Sequence, residues 1–432
     1  MVSRKAMKSP CGNRALAALG VGAAALYGAR VLINVFGPQP PFAMQSPDVP
    51  LDSEEFIQFL STVTDGSRRR SHLYRLKNGV EFFPAMLEAI QSARQAINIE
   101  FYGFAPGEVS RRFLDALSER ARAGVDVRLI VDAVGSLRTP NSYFDGLRSA
   151  GGKVCWYHPL RWNTWPDLNQ RTHRKLIVID GNTGFIGGAG IADHWLHATR
   201  SGPAWRDTFF RIEGEATAGL VSTFAENWLE ASGEILSGPR QFAFRSTPEG
   251  AECFVVISTP RGGGTGARVL FQALIHSAQH SIRITTPYFL PDPSARRAFV
   301  EARNRGVQIR ILTAGPHIDH PIVHKLSLRA TRHLMRAGAE IYDYMPAMIH
   351  AKLMTIDGQW SVVGSTNFDH RSFALNDEVN LAVLDRDLAA VIDSDFDEDL
   401  KQSRRLTEDV LGHRSPFSAI DNVLGRILRF ES

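Results

Sequence analysis

The sequence predicts an α/β protein of two pseudo-symmetric domains, each a mixed β-sheet flanked by helices, preceded by an N-terminal hydrophobic helix. Three observations predict it. Short apolar strands alternate with amphipathic helices, the signature of a buried sheet covered by helical layers. The body repeats itself at a period of about 180 residues, too long for a solenoid and right for duplicated domains. The 432 residues are 44% hydrophobic and 22% charged, the composition of a folded chain long enough for roughly two or three domains.

The elements follow in chain order. Residues 15–29 carry no charge; Arg30 interrupts, and Val31 to Phe36 resume with one polar residue, Asn34. Counting the interruption, the stretch is long enough to span a bilayer. Arg4, Lys5, Lys8 and Arg14 precede it and by the positive-inside rule hold the N-terminus in the cytoplasm, with the rest of the chain outside. Residues 1–36 therefore read as a membrane anchor. A cleaved signal peptide is the rival, though no small-x-small site follows Leu26, and a soluble helix is the third reading. Residues 37–71, opening with Gly37-Pro38-Gln39-Pro40-Pro41 and carrying Pro47 and Pro50, read as a stiff linker.

The first domain is expected over 72–240 and the second over 250–432, with a boundary in the Gly- and Pro-rich stretch between Gly233 and Gly250. The copies are visible directly. Ser92-Ala93-Arg94-Gln95-Ala96-Ile97-Asn98-Ile99 resembles Ser277-Ala278-Gln279-His280-Ser281-Ile282-Arg283-Ile284, and Arg122-Ala123-Gly124-Val125 parallels Asn304-Arg305-Gly306-Val307. Each copy reads helix, strand, helix, glycine stop, strand.

Charge narrows the function. A net charge of +4 suits an anionic substrate or surface and is too small for a nucleic-acid coat. The basic residues are 41 Arg and 8 Lys, a bias that phosphate binding or simple genome composition would produce. Cys11, Cys155 and Cys253 form no C-x-x-C pair, so zinc and thioredoxin-type chemistry are not expected. Gly262-Gly263-Gly264 lacks the following Gly-Lys-Ser/Thr of a P-loop and reads as a surface loop.

Each half carries one H-x-K-x4-D motif: His173, Lys175 and Asp180 in the first, His350, Lys352 and Asp357 in the second. The runs after each lysine read as strands, on which residues two apart share a face, so each His and Lys point together. The aspartates lie an odd number of residues on and precede Gly181 and Gly358. Asp-Gly is a hairpin signal, so both acids read as turn-forming first, with direct contact to the reacting centre as the lesser role. With Gly358 and Gln359 as the turn centre, His350 would face Asn367 and Lys352 would face Ser365. The same rule in the first half sets His173 against Gly190 and Lys175 against Gly188.

Two imidazoles, two ammoniums and an amide suit a phosphodiester. Lysines and Asn367 hold the nonbridging oxygens. One imidazole attacks phosphorus while the other protonates the leaving oxygen, with no metal or cofactor required.

These residues resemble the phospholipase D superfamily, whose signature is H-x-K-x4-D followed by G-S-x-N. The second half carries it whole, through Gly364, Ser365 and Asn367; the first has Gly188 and Gly190 in place of the serine and asparagine. Asn169 to Lys175, Trp205-Arg206-Asp207-Thr208, Thr286 to Asp292 and Asn376-Asp377-Glu378 are similar to segments of bacterial cardiolipin synthases. The resemblance covers about four fifths of the chain, from Asn78 onward. It implies two phospholipase D-type domains and a phosphatidyltransferase that condenses two phosphatidylglycerol molecules to cardiolipin and glycerol through a phosphohistidine. A phosphodiesterase hydrolysing phospholipid or nucleic acid is the alternative. It further implies His173 as nucleophile, His350 as acid/base, Ser365 and Asn367 at the substrate, and Glu378 and Asp207 as carboxylates orienting His173 and His350. With a bacterial resemblance the anchor is expected in the inner membrane, and the positive-inside rule then puts the catalytic body on the periplasmic side.

Lipid rather than nucleic acid is the expected partner, at a membrane surface. Trp156, Tyr157, Trp162 and Trp165 precede the first motif; aromatics of this kind seat at membrane interfaces, stack bases, or pack in the core, which is their default. Phe417, Ile420, Val423, Leu424, Ile427 and Leu428 have helical spacing, read as a helix packed on the body, with a membrane-surface helix as alternative.

Overall fold

The structure is a computed structural model that describes residue 22 and residues 44–408, apart from 46, 160–169, 201, 243–245 and 260–265. Apart from Gly22, the expected anchor lies outside the described residues, as do the proline cluster at 37–41, Trp162, Trp165, the triple glycine and the C-terminal helix. Among the described residues no helix is long and apolar enough to cross a membrane.

The first half runs α1 (Glu54–Thr64), β1 (Ser67–Lys77), α2 (Gly79–Ser92), β2 (Ala96–Phe101), α3 (Glu108–Arg122), β3 (Asp126–Asp132), α4 (Asp145–Ser149), β4 (Lys153–Tyr157), β5 (Arg171–Thr172), β6 (Lys175–Ile179), β7 (Thr183–Gly187), β8 (Thr208–Gly214) and α5 (Ala216–Ser232). The second runs β9 (Ala251–Ser258), α6 (Gly266–Ser277), β10 (Ser281–Thr285), α7 (Pro293–Asn304), β11 (Gln308–Ala314), α8 (Pro321–Arg336), β12 (Glu340–Tyr344), β13 (Leu353–Ile356), β14 (Trp360–Gly364), α9 (His370–Ala374), β15 (Asn376–Leu384), α10 (Arg386–Leu400) and β16 (Ser403–Arg405).

Both halves contribute to one continuous mixed sheet. From its centre it runs β1-β8-β7-β6-β2-β3-β4 one way and β9-β15-β14-β13-β10-β11-β12-β16 the other. Except for β16, the two arms use their strands in the same chain order, which is the duplication expressed as topology. In each arm three parallel strands carry the helical crossovers: β2-β3-β4 in one, β10-β11-β12 in the other. Antiparallel strands, including the motif hairpin, fill the inner part. The central seam is the antiparallel pair β1–β9.

That seam corrects the expected linker. Residues 54–64 are helical and 67–71 already belong to the central strand, so only the upstream part of 37–71 can be a spacer. The strand Ser67–Lys77 escapes an apolar reading because both of its faces carry ionic side chains. Arg68 and Arg70 pair with Glu252 across the seam, and Lys77 reaches Asp395 and Glu398 on α10. Helix α1 packs Phe56, Ile57 and Leu60 into the core of the second half, where Trp360 donates its indole N–H to the Leu51 carbonyl at 2.8 Å.

Cys155 and Cys253 are free thiols. Tyr157 is buried and Trp156 packs partly buried against the first-half core, the default reading for those two aromatics.

Candidate active site

The two motifs are brought together by crossed strapping of one half onto the other. Before β6, the short strand β5 pairs in parallel with the start of β15, and the His173 N–H donates to the Asp377 carbonyl at 2.9 Å. Before β13, Ile349 bridges to Arg206, and the His350 N–H donates to the Arg206 carbonyl at 2.7 Å. In each case the next residue of the opposite half is the carboxylate for that histidine. Nδ1 of His173 lies 2.9 and 3.1 Å from the two oxygens of Glu378, and Nδ1 of His350 lies 3.2 Å from Oδ2 of Asp207. Carboxylate partners of this kind fix the ring and its tautomer. With Nδ1 so engaged, Nε2 of His173 is the nitrogen left for chemistry.

The lysines sit beside their own histidines. Lys175 Nζ donates to the His173 carbonyl and Lys352 Nζ to the His350 carbonyl. Lys352 Nζ also lies 2.8 Å from Nδ1 and 3.2 Å from Nε2 of His350. Ser365 donates its hydroxyl to Glu378 and accepts the Val379 N–H at 3.1 Å. Asn367 is buried and its Oδ1 has no partner among the described residues.

The motif aspartates bond to backbone at the turn side of each hairpin, the role read for them first, rather than to the site histidines and lysines. Asp180 accepts the N–H groups of Arg94, Gln95 and Ala96, and Asp357 those of Gln279, His280 and Ser281. Each carboxylate thus ties the motif hairpin to the helix-to-strand turn of its own half. The register also differs by one from the expected pairing: Leu353 faces Val363 and Leu176 faces Ile186. The reason is the turn. Asp357 and Gly358 have φ of 54° and 61°, and Asp180 and Gly181 have 51° and 68°. Asp-Gly is the central pair of each turn, closed by the Gln359 N–H on the Ile356 carbonyl and the Asn182 N–H on the Ile179 carbonyl, and Gln359 and Asn182 each add a third residue to the loop before the pairs Ile356–Trp360 and Ile179–Thr183.

The glycine departures of the first half have steric causes. A Cβ on Gly188 would lie 2.6 Å from the His350 carbonyl oxygen and 2.7 Å from an oxygen of Asp207. A Cβ on Gly190 would lie 2.7 Å from the Gly103 carbonyl and 3.3 Å from the Trp195 ring. Where the second half has an asparagine, the first half has an indole.

Burial and crowding of cations set the electrostatics. His173 is held well below its usual range by burial, then by Lys175, Lys352 and His350. His350 falls to about 4 through burial and Lys352, against the upward pull of Asp207. Lys352 falls to about 8, chiefly by burial, and Lys175 lies well below its ordinary value for the same reason. Glu378 is pushed up to about 7 by burial, which Lys175 and Ser365 only partly counter. Burial also acts upward on Asp207, but the His350 hydrogen bond and the Lys352 charge outweigh it and hold the carboxyl below its normal range.

Sequence reasoning missed the walls. Tyr102 packs edge-on to His173 at 5.3 Å between ring centroids and lies 5.4 Å from Lys175 Nζ. Trp195 and Trp205 stand 5.9 and 5.7 Å from the His350 ring, and His194 lies against both indoles at 4.0 and 4.3 Å. Exposed Arg371 acts electrostatically on His173 and Tyr102. The available signal was the repeat itself: His194 and Arg371 stand at the same distance after the motif glycines Gly187 and Gly364.

The family model described as cardiolipin synthase, PLD-like domain, matches residues 86–198 and 271–400. The chain is 34% identical over 339 residues to the Probable cardiolipin synthase YwiE of Bacillus subtilis (strain 168), covering 78% of this chain and 68% of that one. It is 35% identical over 335 residues to Cardiolipin synthase A of Pseudomonas putida (strain W619), covering 77% and 69%. A crystal structure of phosphatidylserine synthase from Haemophilus influenzae Rd KW20 shares the fold, with a TM-score of 0.69 at 15% identity over 87% of this chain and 98% of that one. With both matched stretches lying on the duplicated arms of the sheet, the chain belongs to the phospholipase D-like domain family of the cardiolipin synthases.

Proposed function

We propose that this protein makes cardiolipin by moving a phosphatidyl group from one phosphatidylglycerol to a glycerol hydroxyl of another, releasing glycerol. The observation that carries the reading is a buried centre of two imidazoles and two ammoniums whose depressed proton affinities mark a site built for an anion it does not itself supply. A phosphodiester seated between Lys175 and Lys352, with Asn367 toward a nonbridging oxygen, restores the balance of charge.

Roles follow from the two carboxylates. His173 is neutral in the free site, and with its Nδ1–H donated to the carboxylate form of Glu378 the Nε2 lone pair is available for attack. His350 has an ionised partner in Asp207, which stabilises the imidazolium needed for an acid once substrate charge offsets Lys352. His173 forms the P–N bond as the P–O bond to glycerol breaks, and His350 gives that oxygen its proton. The second lipid's hydroxyl then returns a proton to His350, its oxygen bonds to phosphorus, and the P–N bond breaks. The hydrophobic segment at 15–36 fits an anchor holding this body at the inner membrane, facing the periplasm.

The test is product analysis. Purified protein incubated with phosphatidylglycerol should yield cardiolipin and glycerol; phosphatidic acid alone, or DNA cleavage without lipid turnover, would replace this reading with a hydrolase. His173→Ala and His350→Ala should each lower turnover by about 10^2-fold or more. An acid-labile phosphate adduct should be trapped on His173 and absent from His173→Ala.

A further inference from the structure

The aromatic wall beside His350 contains polar atoms that nothing among the described residues uses. Trp195 is 8% exposed, and its Nε1 has no hydrogen-bond partner among the described residues. The Nε2 of His194 is likewise buried and without a partner among them. Leaving two such atoms unsatisfied costs free energy unless a ligand completes them. His194 is also neutral, held down to about 4 chiefly by burial. Its imidazole therefore offers a donor or acceptor to an uncharged group rather than a cation to a phosphate. Trp205 closes the other side of the His350 ring at 5.7 Å. The room for this wall comes from Gly190, whose missing side chain leaves the Trp195 ring 3.3 Å from where a Cβ would be.

The geometry points to a polyol subsite: Trp195 Nε1 and His194 Nε2 hydrogen-bond the free hydroxyls of the glycerol head group whose oxygen exchanges a proton with His350. This inference rests on the reaction proposed above. In that reaction the leaving glycerol and the attacking glycerol each share a proton with His350, so both occupy its side of the phosphorus in turn. An indole face against the C–H face of the polyol, with a donor at its edge, fits glycerol better than water or a monohydric alcohol. On this account the first half gave up the asparagine of the motif to seat the residue that recognises the alcohol, and the two halves divide the work. Asn367 of the second serves the phosphate, and Trp195 of the first serves the head group.

The test is a competition between phosphatidylglycerol and phosphatidylpropanol, which lacks both free hydroxyls, at equal concentration in the same mixed micelles with full-length protein. Released glycerol and released propanol are measured together. The wild type should favour glycerol release by at least about 10-fold, the worth of one or two hydrogen bonds. Trp195→Phe keeps an aromatic, though smaller, ring and removes the N–H, and should bring the ratio down by several-fold; His194→Phe should do the same, while His194→Gln keeps part of the preference. A ratio unchanged in Trp195→Phe and His194→Phe, with turnover of both lipids falling in parallel, would reduce these residues to packing and overturn the subsite. A wild type that releases neither alcohol would remove the underlying reaction and the subsite with it, whereas loss of preference in the variants alone bears only on the subsite.

Discussion

At the scale of single residues, the site is a cluster of groups holding fewer protons than they would in water. Lys352 titrates at about 8, against an ordinary value near 10.5, and Lys175 is displaced the same way. A bound anion favours their charged forms and raises both, so binding must take up protons wherever the free lysines are partly deprotonated. The sign follows for affinity: anion binding weakens as pH rises through about 8, because more of the free protein must first be protonated. Calorimetric titration with inorganic phosphate at pH 8.5, in buffers of different ionisation enthalpy, should show net proton uptake that falls in Lys352→Met. Proton release would contradict the charge assignment. Gly188 offers a second test at this scale. Motif logic says that Gly188→Ser repairs the first half, but the added Cβ would press on the His350 carbonyl and on Asp207. The variant should lose activity by roughly 10-fold or more and unfold more easily, by about 1–3 kcal/mol for an overpacked site.

At the scale of elements, the hairpin is what presents each H-x-K pair, and its turn is where sequence reading was both right and off by one. Asp-Gly announced the turn, and the alternation of the strand put His and Lys on one face. The register slipped because the aspartate was assigned to the strand and the loop was taken as two residues, whereas Asp-Gly, with both φ positive, forms the turn and the residue after it makes the loop three. What no local pattern could reveal was the far end of each carboxylate, since its three N–H partners lie about 80 residues upstream. The prediction follows from that count. Asp357→Ala loses three charge-assisted hydrogen bonds and a residue that tolerates φ of 54°, and should cost about 2–4 kcal/mol of stability by denaturant titration. Asp357→Asn, which keeps the turn preference and part of the acceptor capacity, should cost less. Equal losses in the two variants would show that the turn conformation contributes nothing.

At the scale of the whole molecule, the duplicated halves were legible from repeated segments, but their interdependence was not, because it is carried by contacts more than 100 residues apart. The first-half histidine is held by Asp377 and Glu378, and the second-half histidine by Arg206 and Asp207. Those holders are themselves locked to the half opposite their own. Asp377 accepts the Tyr157 hydroxyl at 2.7 Å, and Arg206 bonds Asp399 on α10 at 3.1 Å. One apolar cluster runs through both halves, joining Ile130, Val178 and Leu220 to Val363, Val379 and Ile392. The β1–β9 seam adds a backbone ladder between them. Neither half then has a complete site, each shares this apolar cluster with the other, and the described body should unfold as one unit. Native-state hydrogen exchange should give amides of β6 and β13 the same opening free energy. Arg206→Met, which leaves Asp399 buried without its cation, should lower both together by about 3–5 kcal/mol. If β13 opened while β6 stayed protected, the halves would be separable modules, and the crossed strapping would be a contact made after folding rather than part of what holds the fold.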